Sequence, residues 1–99
     1  MSETYKVIAR ITELRNQPGK EPCTVFGYKV GDEFDLTDPN DCAKVCKWAL
    51  YAISPLANVL EFGGAFPWDP ENPHSASLCC PDADRPVVFE LRREELPHI

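Results

Sequence analysis

The feature that most constrains this 99-residue chain is the placing of its ten prolines, at positions 18, 22, 39, 55, 67, 70, 73, 81, 86 and 97. Proline fixes φ and donates no backbone hydrogen bond, so it punctuates regular elements and does not extend them. The prolines fall outside the periodic segments, and this pattern predicts long ordered loops in place of a repeat or a Pro-rich linker. Hydrophobic residues make up 43% and charged residues 26% of the chain, which is the composition of a soluble globular protein. The length supports one domain over residues 1–99, with one core.

Between the prolines the hydrophobic periods can be read directly. Tyr5, Val7, Ala9 and Ile11 alternate with Lys6, Arg10 and Thr12, with Ile8 the exception, so Tyr5–Leu14 reads as a half-buried strand. Asn16 to Lys20 breaks it with turn chemistry. From Cys23 to Leu36 the sequence reads as two short strands around Gly31-Asp32, with Phe26, Tyr28 and Val30 before the turn and Phe34 and Leu36 after it. Asp38 is a helix cap, Pro39 suits the first helical position, and Asp41 lies where its charge meets the positive end of the helix dipole.

The helix is expected to run from about Pro39 to Ser54, with Val45, Trp48, Ala49, Ala52 and Ile53 on one face and Cys42 and Cys46 on nearly the same side. Pro55 is expected to end or kink it, with Ser54 capping a second helix from Leu56 to Phe62 that stops at Gly63-Gly64. Phe66, Pro67 and Trp68 should fold back onto the core. Ala76–Cys80 reads as a short strand and Pro86–Arg92 as a clear one, buried at Val87, Phe89 and Leu91; the charged tail from Arg93 to Ile99 is expected to fray. The order predicts an α+β fold: a small antiparallel sheet of four to five strands with a kinked helix or helix pair on one face. Tyr5–Leu14 as an edge strand would be a candidate homodimer interface.

The net charge of −6 lacks any basic run, which argues against nucleic acid as a partner. No apolar run approaches the roughly 20 residues that span a bilayer, so a membrane partner is not expected. The N-terminal residues carry no apolar segment of the secretory kind, and a cytoplasmic location with reduced thiols is the expectation. Five cysteines, an odd number, argue against a disulfide framework and leave metal, redox chemistry or burial open.

Five stretches together carry a resemblance: Gly31-Asp32-Glu33-Phe34; Cys46-Lys47-Trp48-Ala49; Phe62-Gly63-Gly64-Ala65-Phe66-Pro67-Trp68; Cys79-Cys80-Pro81-Asp82; and Arg85-Pro86-Val87. The combination, spread over nearly the whole chain, resembles a family of small conserved proteins of about 90 to 100 residues that has no agreed activity. Ala83 and Lys47 depart from that pattern, where glycine and proline are expected. The resemblance implies that Cys23, Cys46, Cys79 and Cys80 are the family cysteines and that Cys42 is an addition.

Those four thiols form a candidate metal or redox site. Zn²⁺ takes four thiolates in structural sites, and iron–sulfur clusters are also held by four cysteines. No Cys-x₂-Cys knuckle is present, however, and neighbours in a strand point to opposite faces. A strained vicinal disulfide between Cys79 and Cys80 would make a labile redox pair, with Arg85 or the helix start near Cys42 as the sources of positive charge. Against both stands plain burial of the thiols as small hydrophobes.

The competing reading is a non-catalytic binding or assembly module with a small-molecule or protein partner. Its pocket would be formed by Trp48, Phe66 and Trp68 beside Gly63-Gly64, with Asp82 and Arg85 as an ion pair or as groups that orient a ligand carboxylate. His74 and His98 are expected in solvent, and Asp32-Glu33-Asp35 as a solvated turn. With no Ser-His-Asp order, phosphate loop or dinucleotide fingerprint, the sequence assigns no enzyme class.

Overall fold

The computed structural model describes residues 5–23 and 27–95, Glu95 by its backbone alone. Strand β1 (Tyr5–Leu14) follows the alternation closely: Val7, Ala9 and Ile11 are fully buried on one face. It pairs antiparallel along its whole length with β4 (Val87–Glu95), with a bulge between Ile11 and Glu13. Strand β2 (Glu33–Asp35) lies on its other side, and β3 (Ser75–Cys79) pairs with the far edge of β4. The result is a four-stranded antiparallel sheet in the order β2-β1-β4-β3, so the α+β expectation holds.

One face of this sheet makes the core. Val7, Ala9, Ile11, Phe34, Phe89 and Leu91 meet Ala49, Ile53, Ala57 and Leu60 of the helix above, whose spacing of four, four and three places them on one helical side. The other face is open and charged. There Arg92 bridges Glu33 at 3.0 Å and Glu94 at 3.1 Å, and Lys6 lies 3.9 Å from Asp35. Ile8, the exception in the alternation, sits on this face opposite Asp35 and Arg92. It is nonetheless buried, because long charged side chains cover apolar surface with their stems.

The helical region differs from the expectation in where it breaks. Helix α1 covers only Pro39–Cys42, capped by Asp38, whose carboxylate accepts from the Asn40 N–H at 2.9 Å. Helix α2 covers Lys47–Glu61 and carries Pro55 inside it, so the break falls at residues 43–46 and not at Pro55. Two sets of contacts turn the chain there. Asp41 reaches back to accept from the Asp35 N–H at 2.9 Å, and the Cys42 thiol donates to the Leu36 carbonyl at 3.1 Å. The Tyr28 hydroxyl then accepts from the Cys46 N–H at 2.7 Å and donates to the Lys44 carbonyl at 3.2 Å, so these backbone groups are satisfied outside a helix. Pro55 is tolerated because it lies on the exposed side of α2, where water can reach the carbonyl that its missing N–H leaves free.

At its end α2 stops as expected. Gly63 has φ of +86°, and Gly64 donates to the Val59 carbonyl at 2.7 Å. A Cβ on Gly64 would lie 2.6 Å from Val59 Cγ1, so only glycine fits this return.

Three further expectations are corrected. The hairpin over Cys23–Leu36 is absent among the described residues: Gly27 and Gly31 both take positive φ, and the Gly31 N–H bonds to the Ile11 carbonyl of β1 at 2.8 Å. Only Glu33–Asp35 is strand, and Phe26 lies outside the described residues. The segment from Arg93 does not fray at once, since β4 stays paired with β1 through Glu95; residues 96–99 lie outside the described residues. And β1 is no edge strand, because β2 and β4 flank it.

Candidate functional site

The site forms where three separate segments meet at one end of α2. The first is the turn after β3. Cys80 donates its N–H to the Val87 carbonyl at 3.0 Å, and its Sγ accepts from the Val87 N–H at 3.3 Å. Asp82 closes this turn by accepting from the N–H groups of Asp84 (2.9 Å) and Arg85 (3.2 Å). Its carboxylate therefore serves the backbone and makes no ion pair with Arg85. The Arg85 Nε–H instead donates to the Glu21 carbonyl at 2.9 Å. With the Gln17 N–H bonded to the Asp84 carbonyl at 2.8 Å, this bond draws the second segment, the loop before Cys23, onto the turn. The third segment is the start of α2, where Cys46 is the N-cap residue and Tyr28 fixes its backbone.

Together they enclose a pocket of roughly 160 Å³, open on one side and almost wholly apolar. Its lining residues include Cys23, Cys46 and Cys80, Tyr28 and Trp48, and Asp82. Phe89 of β4 links the pocket to the core. Burial pushes the Tyr28 hydroxyl above its ordinary value, and the charge that the surrounding thiols carry when ionised acts in the same direction. Tyr28 thus stays a neutral hydrogen-bonding strut between Lys44 and Cys46.

Three of the four singled-out cysteines line this pocket and the fourth does not. Cys79 lies in β3 opposite Val88, exposed on the open face, while Cys80 is buried on the helix face. The pleat keeps its alternation up to Pro81, so the two neighbours diverge. Cys42 is also apart: burial and the charges of Asp35, Asp38, Asp41 and Glu61 hold it as a protonated thiol, bonded to Leu36. Among the described residues no group of three or more His, Cys, Asp or Glu side chains is arranged to hold a metal ion.

The aromatic set is divided in the same way. Trp48 and Asp82 line the thiol pocket, whereas Phe66, Trp68 and Arg85 do not. Phe66 and Trp68 stack on one another, with centroids 4.6 Å apart and planes 10° from parallel, Phe66 buried and Trp68 mostly exposed. At the opposite end of the sheet the Arg93 guanidinium lies 4.0 Å over the Tyr5 ring and 3.1 Å from His74 Nε2. His74 is exposed there, as its loop suggested; His98 lies outside the described residues. The sequence reading missed Tyr28. A buried tyrosine must find a partner for its hydroxyl, but nothing local shows that the partner is 18 residues away.

Comparison with protein-family models, with curated proteins and with solved structures gives no match.

Proposed function

We propose that this chain is a small binding module whose site is the thiol-lined pocket, and that Cys23, Cys46 and Cys80 are its working contacts. The observation that carries this reading is that three cysteines, from three separated segments, line one apolar pocket of roughly 160 Å³. Size limits the ligand. Pockets for drug-sized molecules run from about 300 Å³ upward, and a dry apolar cavity of about 150 Å³ accepts benzene. A nucleotide or dinucleotide cofactor is too large for it, whereas a compact apolar or polarizable molecule of benzene size fits. Sulfur is soft and polarizable, so the walls favour an equally soft ligand.

Zn²⁺ or an iron–sulfur cluster is the second reading, on the same three cysteines; among the described residues they are not arranged to hold an ion, and the Asp82 carboxylate is engaged by the Asp84 and Arg85 N–H groups. It would need the thiols to close on one ion and a fourth ligand other than Cys79, which lies on the far face. The family resemblance of the sequence motifs fits either reading. All five cysteines are free, which suits a reducing, cytoplasmic setting, and the net charge of −6 argues against nucleic acid as the partner. None of the helices is long and apolar enough to cross a membrane among the described residues.

The test combines metal analysis of protein purified without oxygen with thiol alkylation followed by mass spectrometry. The expected result is substoichiometric metal, alkylation of Cys23 and Cys46 ahead of Cys42, and protection of both by a small aromatic added in excess. Stoichiometric zinc or iron would transfer the site to the metal reading. Pocket thiols that react no faster than Cys42, and that no small apolar molecule protects, would leave them as buried filler.

A further inference from the structure

Among the cysteines that line the pocket, Cys46 differs in what surrounds it. It is the N-cap residue of α2, a helix of 15 residues, and it forms no side-chain hydrogen bond to the first turn. The leading N–H groups of a helix have no partner within the helix and carry the positive end of its dipole. From Ala43 to Leu60 the chain holds Lys44 and Lys47 and no acidic residue, although it has 16 acidic groups against 10 basic ones overall. Lys44 pairs with Asp41 at 3.3 Å, while Lys47 forms no ion pair among the described residues. The Cys46 backbone is held from outside by the Tyr28 hydroxyl, which accepts from its N–H at 2.7 Å. The thiolate is the nucleophilic form of cysteine, and helix N-termini and neighbouring cations favour it.

The other thiols are placed differently. Cys80 is buried, and its Sγ accepts from the Val87 N–H at 3.3 Å. Cys42 donates to the Leu36 carbonyl and has carboxylates around it. Cys79 is exposed on strand β3 and does not line the pocket. Cys23 lines the pocket from irregular chain.

We infer that Cys46 captures soft electrophiles of benzene size, cyclic α,β-unsaturated carbonyl compounds, which the pocket first binds. The inference rests on the reading of the pocket as a binding site. The sulfur adds to the β-carbon of the alkene: an S–C bond forms, the C=C π pair passes to the carbonyl as an enolate, and the thiol proton ends on the α-carbon. The addition needs no oxidant and expels no leaving group. A volume of roughly 160 Å³ holds one six-membered ring, and the almost wholly apolar lining favours a neutral one. Asp82, the acidic lining residue, spends its carboxylate on the Asp84 and Arg85 N–H groups and disfavours anionic reagents. Trp48, two residues from Cys46, adds a flat aromatic surface suited to a planar enone.

Incubation of the full wild-type chain with cyclohexenone, read by peptide mass spectrometry, tests this. The expected result is an adduct on Cys46 at least ~10-fold ahead of the more exposed Cys79, because binding places the alkene beside the sulfur. The rate at Cys46 should saturate with reagent, and that at Cys79 should stay linear. Cyclohexanone, of the same size but without the alkene, should slow Cys46 and leave Cys79 unchanged. Cys46→Ser should lose the saturable adduct and Cys79→Ser should keep it, with far-UV circular dichroism confirming that each is folded. Modification led by Cys79 or Cys23, or a linear rate at Cys46, would overturn the inference. The pocket reading is tested separately, by iodoacetamide. If cyclohexanone shields Cys46 from iodoacetamide while cyclohexenone shows no preference for it, the pocket stands and its nucleophile falls. If cyclohexanone shields none of the lining cysteines, both fall.

Discussion

Cys79 and Cys80 are consecutive, yet they live on the two faces of the sheet, and those faces work by different physics. On the helix face Cys80 joins Phe89, Val87 and Tyr28 in a packed apolar layer, and its sulfur is held by the Val87 N–H at 3.3 Å. On the open face Cys79 sits opposite Val88 on the side that carries the Arg92–Glu33–Glu94 ions, where water screens every interaction. Stability comes from the first face and solubility from the second. The candidate site forms at a rim of the first face, where the helix starts and three loops complete the packing that no strand supplies.

Truncation on either side of one strand gives the largest expected effect. Phe89→Ala removes a fully buried ring between β1, α2 and the pocket, and should cost about 3–5 kcal/mol in denaturant unfolding at unchanged m-value. Val88→Ala, one residue away on the open face, should cost less than about 1.5 kcal/mol. Equal losses would mean that the two faces are not distinct.

Thiol chemistry sharpens the comparison further. Cys79 should react with a small alkylating reagent at least about 100-fold faster than Cys80, since Cys80 is reached only by local opening of the turn at residues 81–86. Mass spectrometry of partially modified protein reads this ratio directly. A ratio near one would show that the turn opens freely, and Cys80 would lose its place as a fixed wall of the pocket.

This face rule was legible in the sequence where period and chemistry are local. Val7, Ala9 and Ile11, and later Val87, Phe89 and Leu91, declare their face by alternation alone, and Asp38-Pro39 declares a helix start. Legibility failed where a distant group decides. The helix breaks at residues 43–46 because Tyr28 and Asp35 bond to that stretch from outside it, and Cys23 reaches the pocket because Arg85 pulls on Glu21 across 64 residues. Pro55 does not end the helix as one of its two expected outcomes had it, since α2 runs through it from Lys47 to Glu61.

Tyr28→Phe tests the distant strut itself. The ring keeps its packing, but the Cys46 N–H and the Lys44 carbonyl lose their partner, and an unsatisfied buried donor costs about 1–3 kcal/mol. Hydrogen exchange should show the Cys46 amide losing protection, and alkylation of Cys46 should change rate while that of Cys79 does not. A variant as stable as the wild type would mean that water replaces the hydroxyl, and that the start of α2 is set by packing alone.

The open face gives the smallest effect, and its sign follows from the carboxylates. Hydrogen bonding to Arg92 holds Glu33 below its ordinary value, and the Asp35 N–H, followed by Lys44, does the same for Asp41. A carboxylate lowered in the folded chain contributes its stability above the unfolded value, about 4 for such groups, and loses it as pH falls through the folded value. Stability should therefore decline on acidification below about pH 4.5. Because Glu33 is exposed, the part that Glu33→Gln removes should stay under about 1 kcal/mol and shrink further in high salt. The opposite sign holds for Cys42, which burial and four nearby carboxylates push upward. Its stabilising term is complete below the ordinary thiol value near 8.5 and is lost as pH rises past it. These carboxylates should thus weaken the fold in acid, and the half-buried Cys42 thiol should weaken it in alkali. If Glu33→Gln left the acid limb unchanged at low salt, the Arg92 bridge would contribute nothing, and the open face would serve solubility alone.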